Sequence, residues 1–227
     1  MKNLLGKIDL IEANEIFLLL LCSILLMIIV KKMFNKHVPR YLRLIPLYIG
    51  LIIFQLAFGN YIIFSNASDA VKMHLVNISA YFFTILEYVI FSVLLSHFIR
   101  LKIIKNYLRY SCFVFTLIGM ISWPSARSST DALSFITSSE SISLIPFCLY
   151  YFFELLNIPP YLKLTDEPAF WITTGILFLF ICITPYYLAF DYFKDVDEMR
   201  MIDFFGYDLI VLFLAKASFA KTKLANG

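Results

Sequence analysis

The sequence predicts an all-α, polytopic integral membrane protein whose seven transmembrane helices form one bundle. Of its 227 residues, 61% are hydrophobic and 15% are charged, whereas a soluble domain is about 45–50% apolar and about 25% charged. The apolar residues fall in runs of about 20, the length at which a helix crosses about 30 Å of hydrocarbon. No polar stretch is long enough for a soluble domain, so the prediction is a single transmembrane domain over residues 1–227.

Seven apolar segments are the predicted spans. They are Ile16–Val30, Leu44–Phe64, Val76–Ile99, Ile103–Trp123, Leu133–Ile158, Ala169–Phe190 and Met201–Ala220. Each is expected to be helical, because backbone groups in lipid must be satisfied within the segment and the runs lack the alternation of a β-barrel. The last segment is the least certain to cross, since Asp203, Asp208 and Lys216 lie within it. If it only lies on the membrane, six spans remain and the C-terminus moves outside.

The distribution of Lys and Arg predicts the orientation. Alternate connections place thirteen of these residues on one side and six on the other. The crowded side includes the first connection, Lys31–Arg43, the third connection, Arg100–Arg109, and the C-terminal end. Cytoplasmic loops carry the excess of Lys and Arg, so we expect the N-terminus outside and the C-terminus in the cytoplasm. The Ile-, Lys- and Phe-rich composition favours a bacterial inner membrane.

The sequence contains no recognisable catalytic or cofactor motif, which predicts a non-enzymatic protein. The four cysteines lie inside apolar segments without the spacing of a zinc site, and no metal or cofactor is expected. Lys216 lies too near the cytoplasmic end of its span for a retinal Schiff base. The basic residues are divided among loops, which argues against nucleic acid. The expected partner is the lipid bilayer, and homo-oligomers stay open.

Two connections on the outer side have unusual compositions. Ser125–Ser143 is rich in serine and is interpreted either as a flexible loop or as a partly helical cover over the bundle. Asp191–Asp203 is acidic, and a solvated loop is favoured over a Ca²⁺ site, which needs six or more converging oxygens.

Glu87 is the first candidate for function, because a carboxyl group at membrane depth is costly and often functional. It lies near the middle of the third predicted span, with Thr84 as its polar neighbour on the same helical face. One interpretation makes it a proton carrier or ligand anchor in an interior cavity. The other makes it a protonated carboxyl that is bonded to a neighbouring helix and holds the bundle together. Gln55 and Asn60 in the second span are weaker candidates.

Glu154 is the second candidate and lies toward the cytoplasmic end of the fifth span. Tyr150 and Asn157 share its helical face, so these side chains are expected to form a polar patch. The same two interpretations apply, with the structural role favoured for this shallower residue.

Several segments resemble known proteins. Leu86-Glu87-Tyr88 in the third span, the block Tyr150–Leu156, and Pro168–Ile172 with Gly175 resemble small seven-span proteins of Bacteroidota. Some of these proteins are similar to the membrane part of sensor histidine kinases, standing alone without a kinase domain. The resemblance implies a signalling or accessory role and adds Phe170 and Trp171 to the residues worth testing.

Together these observations predict a sensor or accessory signalling subunit that acts through a membrane or cytoplasmic partner, or through lipid. The alternative is a small transporter or channel that uses the same membrane-embedded carboxylates. Ligand or proton candidates under either hypothesis are Glu87, Glu154, Tyr150, Asn157 and Trp171.

Overall fold

The computed structural model of the chain describes residues 18–28, 30–31, 40–125, 128–157, 167–188 and 198–219. All regular structure in these residues is helical. A short 3₁₀ turn at Arg40–Arg43 precedes the second helix. The α-helices are α1 (Leu18–Ile28), α2 (Leu44–Ile63), α3 (Asp69–Phe98), α4 (Lys102–Ser125), α5 (Ser129–Leu156), α6 (Pro168–Leu188) and α7 (Glu198–Phe219).

Four stretches of the described residues are long and apolar enough to cross a membrane: Tyr41–Ile62, Asp69–Phe98, Thr130–Leu156 and Pro168–Pro185. The chain is therefore a helical membrane protein. Each of the seven predicted spans coincides with a helix in its described part. The described part of α1 is short, α4 carries Lys102, Lys105 and Arg109 near its start, and α7 carries charged residues along its length. The acidic connection at 191–197 lies outside the described residues.

Helix α3 occupies the centre of the bundle and contacts α2, α4, α5 and α6. Tyrosine hydroxyls join it to its neighbours. Tyr81 donates to the carbonyl oxygen of Gly119 on α4, and the Tyr88 hydroxyl lies 2.7 Å from that of Ser143 on α5. Because water is absent from the membrane interior, such buried polar groups must find partners on adjacent helices.

Helix α5 begins earlier than predicted, and this corrects the interpretation of the serine-rich segment as a flexible loop. Ser128 caps the helix, because its Oγ accepts a hydrogen bond from the backbone N–H of Asp131 at 3.1 Å. The helix then runs through the serine-rich residues and packs between α3 and α6. Pro146 lies inside α5, and its missing N–H leaves the carbonyl group one turn earlier without its usual donor.

Helices α6 and α7 form the most extensive helix pair among the described residues. Glycine allows the close approach. A Cβ atom added at Gly175 of α6 would lie 2.8 Å from the Cβ of Phe213 on α7, and one at Gly206 would lie 3.3 Å from Leu179. Small residues of this kind let membrane helices pack at short distance.

Candidate functional site

A cavity of about 260 Å³ lies within the bundle, bordered by every described helix except α4. Residues Leu18 of α1, Ile52 of α2 and Val76 of α3 contribute apolar wall. The polar side chains on its lining are Gln55, Asn60, Thr84, Thr137, Tyr187 and Tyr207. Two of these, Gln55 and Asn60, are polar residues of the second predicted span. The lining combines apolar walls with a few polar groups, as small-molecule sites do.

Two buried carboxyl groups lie one helical turn beyond this lining. Glu87 follows Thr84 by one turn of α3, and Glu140 follows Thr137 by one turn of α5. Glu87 is 2% exposed and Glu140 is 1% exposed. They lie close enough to interact electrostatically. We call Glu87 and Glu140 the carboxyl pair.

The carboxyl pair is tied to α2 through Tyr48, which is 1% exposed. The Tyr48 hydroxyl donates a hydrogen bond of 2.5 Å to Oε1 of Glu87, and it also lies within electrostatic reach of Glu140 and Tyr207. Oε1 of Glu140 is buried without a hydrogen-bond partner. One carboxyl group is thus held across a helix interface, while its neighbour has an unused acceptor.

None of the described side chains that line the cavity is Lys, Arg or His. The lining therefore offers no positive charge to balance the two carboxyl groups. Two ionised carboxylates buried side by side repel each other strongly. The carboxyl pair therefore holds at least one proton unless a cation lies beside it. This arrangement can bind or exchange a positive charge at membrane depth.

Buried apolar side chains lie beyond the carboxyl pair, toward the Phe98 end of α3. Phe91, Leu95 and Cys148 are each 0% exposed. The Phe91 ring packs 4.8 Å from that of Tyr48 and 5.9 Å from that of Phe180 on α6, measured between centroids. We call Phe91, Leu95, Cys148 and Phe180 the apolar layer.

Glu154 lies at a different site. Its Oε2 accepts the backbone N–H of Arg100 at 2.8 Å, and its Oε1 accepts that of Leu101 at 3.2 Å. These donors immediately precede α4, so the carboxylate caps the start of that helix and lies near its positive dipole end. Glu87 lies roughly 16 Å along α3 from Phe98, at about 1.5 Å per residue. The structure therefore does not bring Glu87 and Glu154 together.

The other sequence-predicted site residues lie away from the cavity. Tyr150 hydrogen-bonds the Glu154 carboxylate, and Nδ2 of Asn157 donates to the carbonyl oxygen of Phe153 at 3.0 Å. The Trp171 ring stacks against Phe213 at 6.0 Å between centroids, and Nζ of Lys216 lies 5.5 Å from its centre. Of the polar patch predicted around Glu154, the contact with Tyr150 is present, whereas Asn157 bonds its own helix; Trp171 belongs to the α6–α7 interface.

The sequence interpretation missed Glu140 and Tyr48. Glu140 lies in a serine-rich stretch whose composition is typical of a loop. A signal was nevertheless present in the spacing, since Ile136, Glu140, Leu144 and Cys148 recur every four residues, and all four are buried. Tyr48 gave no such signal, because an isolated tyrosine in an apolar span usually serves only in helix packing.

The cavity and the carboxyl pair are the features of this bundle with the clearest capacity for chemistry. Their geometry is set by α2, α3 and α5, which bring residues distant in sequence into one buried region. Comparison of the chain with models of known protein families, with curated proteins and with solved structures finds no match.

Proposed function

We propose that the protein is a non-enzymatic seven-span protein of the bacterial inner membrane, with its N-terminus outside and its C-terminus in the cytoplasm. It works as a sensor or accessory signalling subunit. A ligand, lipid or proton acting at the cavity and the carboxyl pair changes how α2, α3 and α5 pack. A membrane or cytoplasmic partner responds to that change.

The observation that carries this proposal is the cavity placed directly over a carboxyl pair that links separate helices. Tyr48 of α2 holds Glu87 of α3, and Glu140 of α5 lies beside them. A ligand that engages one member changes the charge or hydrogen bonding of the others. A conformational change requires such a difference in interaction between two states.

Helix α5 offers a route from the cavity to the cytoplasmic surface. Thr137 and Glu140 lie in its first half, and Glu154 near its end holds the backbone N–H groups of Arg100 and Leu101. Those two residues begin the basic third connection. Pro146 lies between the two ends, where the helix has lost one internal hydrogen bond. A shift of α5 would therefore move the start of α4.

The alternative is a small transporter or channel, and the buried carboxyl pair beside a cavity favours it. The apolar layer argues against it, because a transported ion or polar solute would have to cross this packed region. A sensor needs only a site that opens toward one side. We therefore favour the sensor.

The test uses the full chain in nanodiscs and native mass spectrometry to identify the polypeptide or lipid that accompanies it. Retention of that companion is then compared between Gly59→Leu and Gly50→Leu. Both glycines lie on α2, and a Cβ atom added at either meets nothing within 4 Å, but only Gly59 lines the cavity. Filling the cavity is expected to change retention, and the Gly50→Leu control is expected to match the wild type.

Equal retention in both variants would contradict the sensor. Proteoliposomes supply the second measurement. A pH-dependent flux that Glu87→Gln abolishes, with the fold retained, would replace the sensor with the transporter.

A further inference from the structure

We propose that the cavity binds a small organic cation: an apolar molecule whose ammonium head reaches Thr137 and Glu140. This inference rests on the proposed function and names the chemical class of its ligand. It draws on the hydrogen-bonding capacity of the lining, on two buried atoms without partners, and on the shape of the walls.

Two polar side chains of the cavity lining, Gln55 and Thr84, offer acceptor oxygens. Nε2 of Gln55 donates one of its two hydrogens to the hydroxyl of Ser79 at 3.1 Å, and the Gln55 carbonyl oxygen can accept a hydrogen bond. The Thr84 hydroxyl donates to the carbonyl oxygen of Ala80 at 3.0 Å, so its lone pairs remain. A ligand that donates hydrogen bonds suits such a lining better than one that accepts them.

Two atoms of α5 are buried without a hydrogen-bond partner. Oγ1 of Thr137 is one of them, in a residue that is 7% exposed and lines the cavity. Oε1 of Glu140, one turn further along the same helix, is the other. Buried polar atoms without partners are rare, and each costs about 1–3 kcal/mol. An ammonium group has three donors and would satisfy both atoms at once.

The charge points to the same ligand class. The carboxyl pair becomes fully ionised only beside a cation, and no described residue of the cavity lining is basic, so the site favours a cation over an anion. A hydrated metal ion fits poorly, since most of the wall is apolar. The aromatic rings of Phe83 and Tyr207 lie 6.3 Å apart between centroids and both line the cavity. Aromatic rings on the lining also favour an organic cation.

The size of the cavity limits the ligand. At about 30 Å³ per water molecule, 260 Å³ holds roughly nine non-hydrogen atoms. A phenethylammonium-sized molecule fits this volume. A lipid tail could enter the apolar part of the cavity but would leave Thr137 and Glu140 unsatisfied.

The test is ligand-observed NMR of the full chain in nanodiscs with three probes of one shape: phenethylamine, 2-phenylethanol and phenylacetate. We expect the amine to bind at least tenfold more tightly than the alcohol, and phenylacetate to bind most weakly. Glu140→Gln is expected to remove the preference for the amine over the alcohol. Asp131→Asn makes the same acid-to-amide change at an exposed position of α5 and is expected to keep it.

Thr137→Val serves as a second variant of nearly the same shape, and we expect a several-fold weaker affinity for the amine. Equal affinity for amine and alcohol, or a preference that survives Glu140→Gln, would overturn the cation while leaving a ligand-responsive cavity. A co-purified lipid that blocks all three probes would also overturn it and would leave the sensor intact. No binding of any probe, together with unchanged companion retention in Gly59→Leu, would contradict both proposals.

Discussion

Glu87 and Glu154 are two carboxylates of one helical bundle with opposite surroundings. Glu87 is almost fully buried, takes a hydrogen bond from Tyr48 and lies beside a second acid. Glu154 is partly exposed and accepts two backbone N–H groups at the start of α4. The second acid beside Glu87 raises the free-energy cost of burying it. The backbone N–H groups that Glu154 accepts, in contrast, need an acceptor at the start of any helix.

The difference separates two uses of an acidic residue in a membrane protein. At Glu154 the carboxylate completes the hydrogen bonding of the fold, so structure alone accounts for it. At the carboxyl pair the fold places two acids side by side and leaves Oε1 of Glu140 without a hydrogen-bond partner, and packing does not explain either feature. Sites that cost stability are more often functional than sites that supply it.

The largest effect is expected from Glu87→Ala. The substitution leaves the Tyr48 hydroxyl without its acceptor and opens a space in the core, so we expect a loss of about 3 kcal/mol in unfolding free energy. Reversible unfolding in mixed micelles measures it. A loss below that of Glu154→Gln would reverse the comparison between the two sites.

Glu140→Leu is expected to stabilise the protein by about 1–2 kcal/mol, because it replaces an unpartnered buried acid with an apolar side chain of similar length. The same variant should lose the amine preference. A destabilised Glu140→Leu protein would mean that Glu140 holds the bundle together, as Glu154 does.

Tyr48→Phe removes only the hydroxyl group that donates to Glu87, and so tests the Glu87 site through a single hydrogen bond. Removing the donor to Glu87 should cost about 1.5 kcal/mol, since a charged or strongly polar acceptor is left buried. In a double-mutant cycle with Glu87→Ala, which removes the acceptor, the coupling energy between the two positions measures their contact. A coupling energy near zero would contradict a direct hydrogen bond.

The smallest effect is expected from Glu154→Gln. The amide oxygen still accepts one of the two backbone N–H groups, so the loss should be about 1 kcal/mol, typical of a helix cap. Local exchange of the Arg100 and Leu101 amides should rise, as hydrogen–deuterium exchange can show. Amides as protected as in the wild type would show that the carboxylate does not cap α4.

Much of the helical fold was predictable, because the length and the apolar composition of a membrane-spanning helix can be read from one continuous segment of the sequence. Predicted segment Leu44–Phe64 and observed helix Leu44–Ile63 differ by one residue, and Glu87 was recognised as a buried acid from its apolar neighbours. The limits of α3 and α5 were less accurate, because each helix begins in polar residues that hydropathy does not favour.

The carboxyl pair was not predictable in the same way. Glu87 and Glu140 belong to different helices, and their proximity follows from how α3 packs on α5. Tyr48 comes from a third helix. No pattern within a single segment predicts a contact between three helices. Tyr150 and Glu154, in contrast, lie one turn apart on one helix, so helical spacing alone predicted their contact.

The glycine contacts between α6 and α7 have a consequence for how the chain enters the membrane during synthesis. Helix α7 carries Asp208 near its centre, and a charged residue near a span centre disfavours insertion of an isolated segment. Gly175 and Gly206 let α6 pack closely against α7. We therefore expect the two helices to partition together as a hairpin, with the apolar α6 bringing its more polar neighbour into the lipid.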